Sequence, residues 1–172
     1  MAFKRLAWVS LVALDLVLCG RAGALAQDFP SRPVTFIVPY AAGGTLDTIA
    51  RNLGRSLSEK FGKSVLIENR TGGGTVIGSN AVAKAPPDGH TILMGSSTPL
   101  AINATLYKNL PYDPKADLKL VAMVAASPLV MVVHPSLPIH SYADLIREVR
   151  AKPKQLSYAS AGNGSPHHLF ME

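Results

Sequence analysis

Between Pro33 and Pro39 the chain reads Val34-Thr35-Phe36-Ile37-Val38, a short β-branched run that predicts a buried strand. Beyond it, Leu46, Ile49, Ala50, Leu53, Leu57 and Phe61 recur at steps of three and four. That spacing puts one apolar face on a helix, and Gly62 is suited to close it. Val65-Leu66-Ile67 reads as the next strand. Thr75 can cap a second helix carrying Val76, Asn80, Val82 and Ala83, which Pro86-Pro87 ends. Thr91-Ile92-Leu93-Met94 makes a third strand. Strand and helix alternating through such short connections imply an α/β fold, a parallel-rich sheet flanked by helices on both faces.

After Met94 the rhythm loosens through a stretch with proline and asparagine, Ser96 to Lys119. Two apolar runs follow, Leu120 to Val124 and Leu129 to Val133, separated by Ala125-Ala126-Ser127-Pro128. With no helix between them, the pair reads as a strand crossing from a first domain into a second. Ser141-Tyr142-Ala143-Asp144 is a capping-box pattern, with Leu145, Ile146 and Val149 as the face of its helix. Leu156-Ser157-Tyr158-Ala159 is expected to be a strand and Gly162-Asn163-Gly164 a loop. Ser165-Pro166 then looks like an N-cap followed by proline at the first helical position. The sequence reaches Glu172 about two turns into that helix, so a truncated chain is expected.

The amino terminus changes the picture of where the protein works. Lys4 and Arg5 precede an apolar run from Leu6 to Leu18, and Ala24-Leu25-Ala26 follows. A charged segment, an apolar segment of roughly 7–15 residues and an A-x-A site make a secretory signal peptide, with cleavage after Ala26. A membrane anchor wants about 20 apolar residues, and Asp15 interrupts this run. Acylation at Cys19 is disfavoured by the bulky Leu18 before it. Removing residues 1–26 takes away three cations and one anion, and the formal charge falls from +6 to +4. It also removes the only cysteine, Cys19, which rules disulfides and thiol catalysis out of the mature part. The remaining charge forms no basic block, which argues against nucleic acid as a partner.

Three small-residue loops stand at the carboxyl ends of expected strands, where open α/β sheets bind their ligands. They are Pro39 to Asp47, Gly95-Ser96-Ser97-Thr98, and Ser160-Ala161-Gly162-Asn163-Gly164-Ser165. The first and third run straight into helix N-termini, whose free N–H groups and dipole can hold a carboxylate or phosphate without a buried cation. A single such loop is more simply a tight turn, which also favours Gly, Ser and Asn. Three in register favour a ligand. Asp47 stays open between two roles: a carboxylate that steadies its helix, or an acceptor for a ligand amine, hydroxyl or bridging water. Arg70 can grip a carboxylate bidentately, but Glu68 two residues earlier offers it a structural partner.

Competing motifs fail on spacing. Phe61-Gly62-Lys63-Ser64 resembles the tail of a phosphate-binding loop, but Leu57 occupies the place of its first glycine and the segment runs from helix into strand. Gly72-Gly73-Gly74 lacks the third glycine of a dinucleotide fingerprint, where Ile77 stands. His167 and His168 are adjacent and point to different helix faces, and His90, His134 and His140 show no ligand spacing, so no metal or cofactor is expected. No G-x-S-x-G elbow exists to activate a serine, and no partner base stands near Ser160 or Ser165. Catalytic residues are therefore assigned to none. An exported α/β enzyme acting on a carboxylate remains the alternative to a binding protein.

At the level of ordered motifs the chain resembles a known family. Pro30-Ser31-Arg32-Pro33-Val34 through Val38-Pro39-Tyr40-Ala41-Ala42-Gly43-Gly44, with Asp47 and Ile49-Ala50-Arg51, is similar to the start of the tripartite tricarboxylate transporter solute receptors, also called the Bug family. Glu68-Asn69-Arg70, Ile77-Gly78, Pro87-Asp88-Gly89-His90-Thr91, Asn103, Leu110-Pro111-Tyr112-Asp113-Pro114 and Tyr158 to Ser165 continue the match in order.

The resemblance implies a two-lobed, Venus-flytrap periplasmic binding protein about twice this length, here truncated: residues 27–125 as the first lobe and 126–172 as the start of the second. It implies di- and tricarboxylates, acidic amino acids or aromatic acids as ligands, membrane permease subunits as partners, and a monomer. The ligand residues nominated by loops and resemblance together are Tyr40, Ala41, Ala42, Gly43, Gly44, Asp47, Ser96, Ser97, Asn103, Ser160, Ala161, Gly162, Asn163 and Ser165. Two departures from the family pattern stand out: Thr45-Leu46 before Asp47, and Thr71-Gly72-Gly73-Gly74 after Arg70.

Overall fold

A computed structural model describes residues 28–172, so the signal peptide expected over residues 1–26 lies outside the described residues. Residues 32–172 make one compact unit. At its centre is a three-stranded parallel sheet of order β2-β1-β3, with β1 at Val34–Val38, β2 at Val65–Asn69 and β3 at Thr91–Leu93. Val34 pairs with Val65 and Val38 with Asn69 on one side, and Thr35 to Ile37 pair with Thr91 to Leu93 on the other. The middle strand is the most apolar of the three, and all its residues but Thr35 are buried. A strand covered on both faces and both edges needs no alternation, which is why it reads as a continuous hydrophobic run.

The expected first helix is α1, Thr45–Phe61. Its apolar face lays Leu46, Ile49, Ala50, Leu53 and Leu57 over Val34, Phe36 and Val38. Gly54 lets the helix come down closely, since a Cβ there would meet Ile67 at 3.0 Å. Gly62 ends α1 in the left-handed conformation at φ 63°, its N–H donating to the Ser58 carbonyl. The Ser58 hydroxyl accepts the Val65 N–H at 2.8 Å and fixes where β2 begins. The second helix, α2 at Val76–Ala83, contacts β1 and β3. A chain that steps from β1 to β2 and then crosses β1 to reach β3, each time right-handedly, must put α1 and α2 on opposite faces.

Several expectations need correction. Thr75 precedes α2 but does not cap it with its side chain; it sits left-handed at φ 79°, after a 3₁₀ turn over Gly73–Thr75. The stretch after Met94 is more ordered than its composition suggests. It holds a π-helical turn at Thr98–Ile102 and a short helix α3 at Asn103–Leu106, and the Tyr112 hydroxyl donates to the Pro99 carbonyl at 2.8 Å. Leu120–Val124, Leu129–Val133 and Leu156–Ala159 form no strands. Among the described residues no segment offers them a ladder, and Val121, Met123, Val130 and Val132 are more than four-fifths exposed. β-propensity reports fit to a half-buried pleated surface, and without that surface an apolar run stays irregular.

The capping assignments near the end are found as expected. Ser141 accepts the Asp144 N–H at the start of α4, Tyr142–Ala151, and Ser165 accepts the His168 N–H at the start of α5, Pro166–Leu169.

Candidate functional site

The strand order fixes where a ligand crevice can form. From β1 the chain moves to one side, into β2, and then to the other, into β3. In open α/β sheets such a reversal of strand order marks the place of a ligand crevice, here at the carboxyl ends of β1 and β3. The β1 loop is Pro39 to Gly44 and the β3 loop is Gly95 to Ser97. Across the crevice the Tyr40 hydroxyl and the Ser96 hydroxyl hydrogen-bond at 2.6 Å. Ala41, Ala42, Gly43 and Gly44 are exposed, and Gly43 is left-handed at φ 82°. The start of α1 has no side-chain cap: Gly44 occupies that place. Its first N–H groups thus lie beside an exposed glycine pair, the arrangement that receives anions at helix ends.

Asp47 lies in that first turn and is buried. Its Oδ2 accepts the Gly43 N–H at 2.8 Å and the Arg51 Nε–H at 2.9 Å, and its Oδ1 accepts from Asn69 Nδ2 at 3.0 Å. The Arg51 guanidinium, then the Gly43 N–H and the Asn69 amide, hold this carboxyl well below the usual carboxylate range. Asn69 also donates to the Tyr40 carbonyl at 3.0 Å. Neither Arg51 nor Asn69 belongs to the set nominated from sequence. A signal existed for both: Arg51 stands four residues after Asp47 on one helix face, and Asn69 is the polar end of an apolar strand.

The third loop joins the other two. The Thr98 hydroxyl donates to the Gly164 carbonyl at 3.5 Å, and the Thr98 N–H donates to the Ser96 hydroxyl at 3.3 Å. Ser160, Ala161, Gly162 and Asn163 are exposed, and Gly164 and Ser165 are buried. The Ser165 oxygen caps α5, and the Ser160 oxygen accepts the Gly162 N–H at 3.3 Å. Ser97 is exposed at the start of the π-helical turn.

Asn103 is fully buried. Its Nδ2 donates to the Gly74 carbonyl at 2.9 Å and to the Thr75 hydroxyl at 3.1 Å, and its Oδ1 is buried without a hydrogen-bond partner. Tyr107 adds a bond from its hydroxyl to the Gly73 carbonyl at 3.2 Å. A fourth loop, Gly72 to Thr75, is thus fastened beside the other three. Arg70 is held by Glu68, Nε to Oε1 at 2.6 Å, the structural pairing expected from its neighbour. Among the described residues no group of three or more metal-ligating side chains converges, and no helix is long and apolar enough to cross a membrane.

Residues 49–172 match the model of the tripartite tricarboxylate transporter family receptor. The chain belongs to that family. It is 40% identical over 158 residues to the UPF0065 protein in the tcbD-tcbE intergenic region of Pseudomonas sp. (strain P51), covering 92% of this chain and 47% of that protein. It is 38% identical over 166 residues to protein BugT of Bordetella pertussis, covering 95% and 51%.

Among solved structures, an R. palustris protein with adipate superposes at a TM-score of 0.79 with 40% identity, over 84% of this chain and 48% of that one. MatC from Rhodopseudomonas palustris with bound malate gives 0.66 with 32% identity, over 72% and 42%. The periplasmic binding protein BugD gives 0.61 with 33% identity, over 82% and 47%. The receptor chain therefore spans about half the length of the relatives it matches, and its fold is that of the α/β periplasmic binding proteins. The matching family model describes a receptor, and BugD is named as a periplasmic binding protein.

Proposed function

We propose that this receptor chain carries half of a carboxylate-binding cleft, and that it serves a periplasmic solute receptor delivering a small organic acid to permease subunits of a tripartite transporter. The observation that carries this reading is the joining of the loops after β1 and β3 by the Tyr40–Ser96 hydrogen bond, beside an exposed glycine pair that leaves the start of α1 without a side-chain cap. Ala41, Ala42 and the uncapped first turn of α1 offer backbone N–H groups to a carboxylate, while the Gly43 N–H is held by Asp47. The 160–165 loop, tied in through Thr98 and Gly164, offers a second set. The adipate and malate held by the two R. palustris relatives support dicarboxylates as the ligand class.

Residues 27–125 make the first lobe and 126–172 begin the second. The exposed apolar runs at 120–133 are the positions at which the remainder of a full-length receptor would add its strands. Residues 1–26 direct export and are removed after Ala26, and the receptor works as a monomer. Amino-terminal sequencing of the periplasmic protein should start at Gln27.

The test of function is thermal unfolding of the chain with adipate or malate at a hundred times the dissociation constant. Binding to the folded state alone adds about 2.7 kcal/mol, which for a chain of this size raises Tm by roughly 5–10 °C. No shift with any dicarboxylate, against an unchanged melt, would overturn the proposal.

A further inference from the structure

Asp47, Arg51 and Asn69 close a ring of hydrogen bonds. Arg51 Nε donates to Asp47 Oδ2 at 2.9 Å, Arg51 Nη2 donates to Asn69 Oδ1 at 3.1 Å, and Asn69 Nδ2 donates to Asp47 Oδ1 at 3.0 Å. Two further bonds run from the ring into the β1 loop. Asn69 Nδ2 donates to the Tyr40 carbonyl at 3.0 Å, and Asp47 Oδ2 accepts the Gly43 N–H at 2.8 Å. An amide nitrogen has two hydrogens, and both of Asn69's are used. The Asp47 side chain is 4% exposed, and three donors from the chain already occupy its two oxygens. With the carboxylate this buried and already bonded by Gly43, Arg51 and Asn69, it presents little open surface to an incoming ammonium.

We propose that Asp47, Arg51 and Asn69 are positioning residues that set the shape of the Tyr40–Gly44 loop, and that Asp47 is not the receptor for a ligand amino group. The inference rests on the carboxylate reading of the same loop. Its physical logic is preorganisation. Donors that must point at an anion gain most when their geometry is fixed before the ligand arrives, because the ordering cost is met in folding. The ring fixes both ends of the loop: Tyr40 through its carbonyl and Gly43 through its N–H. Ala41 and Ala42 between them stay exposed. Selectivity between acids with and without an amino group then lies elsewhere in the cleft.

Two measurements on the full chain test this, and the first needs no ligand. In amide hydrogen exchange, the Gly43 N–H should be protected in the wild type and exchange at least tenfold faster in Asp47→Ala and Asn69→Ala, while Val38 and Ile37 in β1 keep their protection. Equal acceleration at Gly43 and Val38 would make the ring merely structural. Unchanged Gly43 protection in both variants would remove the ring's role altogether. Either result overturns the proposal, whatever the chain binds.

The second measurement titrates adipate and 2-aminoadipate into the wild type and Asp47→Asn. The variant should weaken both acids by the same factor. Selective loss of 2-aminoadipate, with adipate untouched, would make Asp47 an amine receptor and overturn the proposal. Absence of binding by either acid counts against the carboxylate reading, and the exchange result then decides the positioning claim by itself.

Discussion

Replacing Gly78 by alanine sets two effects of known size against each other. Gly78 lies in the first turn of α2, where the helical backbone tolerates any residue. Glycine in a helix interior is less favourable than alanine by about 0.8–1.0 kcal/mol, and near an end the gain from alanine is smaller. Against it stands the close approach of α2 to the strand ends. A Cβ on residue 78 would lie 2.7 Å from the Arg70 carbonyl oxygen, 3.0 Å from Pro39 Cβ and 3.1 Å from Pro39 Cα. These are backbone and ring atoms with no rotamer to change. The Arg70 N–H is itself bonded to the Val38 carbonyl at 2.9 Å, continuing the ladder, so the obstacle is tied to the sheet.

Relief requires α2 to back away, and opening a packed interface by about 0.5–1 Å forfeits a quarter to a half of its dispersion contact. Overpacking of this kind costs about 1–3 kcal/mol. The clash therefore wins, with a net destabilisation of about 1–2 kcal/mol. In urea unfolding followed by circular dichroism, the midpoint should fall by roughly 0.5–1 M at unchanged slope. Gly62→Ala is the control: it is left-handed with nothing within 4 Å of the added Cβ, so its cost is conformational only. A Gly78→Ala midpoint at or above the wild type would show that helix propensity dominates and that α2 is not seated on Pro39.

Three further outcomes are expected. Asn103→Ala strips the Gly74 carbonyl and the Thr75 hydroxyl of their shared donor in a buried setting, and chemical denaturation should show a loss of about 1–3 kcal/mol. Gly164→Ala puts a Cβ 2.5 Å from Leu106 Cδ2 at a backbone of φ 76°; it should shift the 160–165 loop and weaken dicarboxylate binding in calorimetry while the sheet melts normally. Stability should be flat above about pH 5 and fall as the pH drops from about 4 downward. Asp47, Asp88, Asp113 and Asp144 all have carboxyls depressed by hydrogen bonds or cationic neighbours, so the unfolded state takes up protons first. Denaturation midpoints across pH check this, and Asp47→Asn should flatten the acid limb.

What was legible in the sequence divides by the range of the contacts involved. Strands β1, β2 and β3, helix α1 with its Gly62 terminus, and the caps at Ser141 and Ser165 rest on patterns within a few residues, and each is found where those patterns put it. The apolar runs at 120–133 carry the same local pattern as β1. The difference is that β1 has β2 and β3 on its edges and α1 on its face, whereas among the described residues Val121 and Val132 have neither. Strand propensity states what a segment will do when a partner is given, and no local pattern can state whether the partner is there.

The candidate site divides in the same way. Small residues after β1 and β3 and before α5 announce loops that can approach an anion, and strand order turns two of them into the walls of one crevice. Their fastening is non-local and was not legible. Tyr40 to Ser96 spans 56 positions, Asn69 to Tyr40 spans 29, and Thr98 to Gly164 spans 66. The buried polar residues carry this information. Asp47, Thr98 and Asn103 are each too costly to bury without partners, so their burial marks where loops are tied together. A polar residue standing where an apolar one would be cheaper is the sequence's record of such a tie. Its partner becomes visible only when the chain is folded.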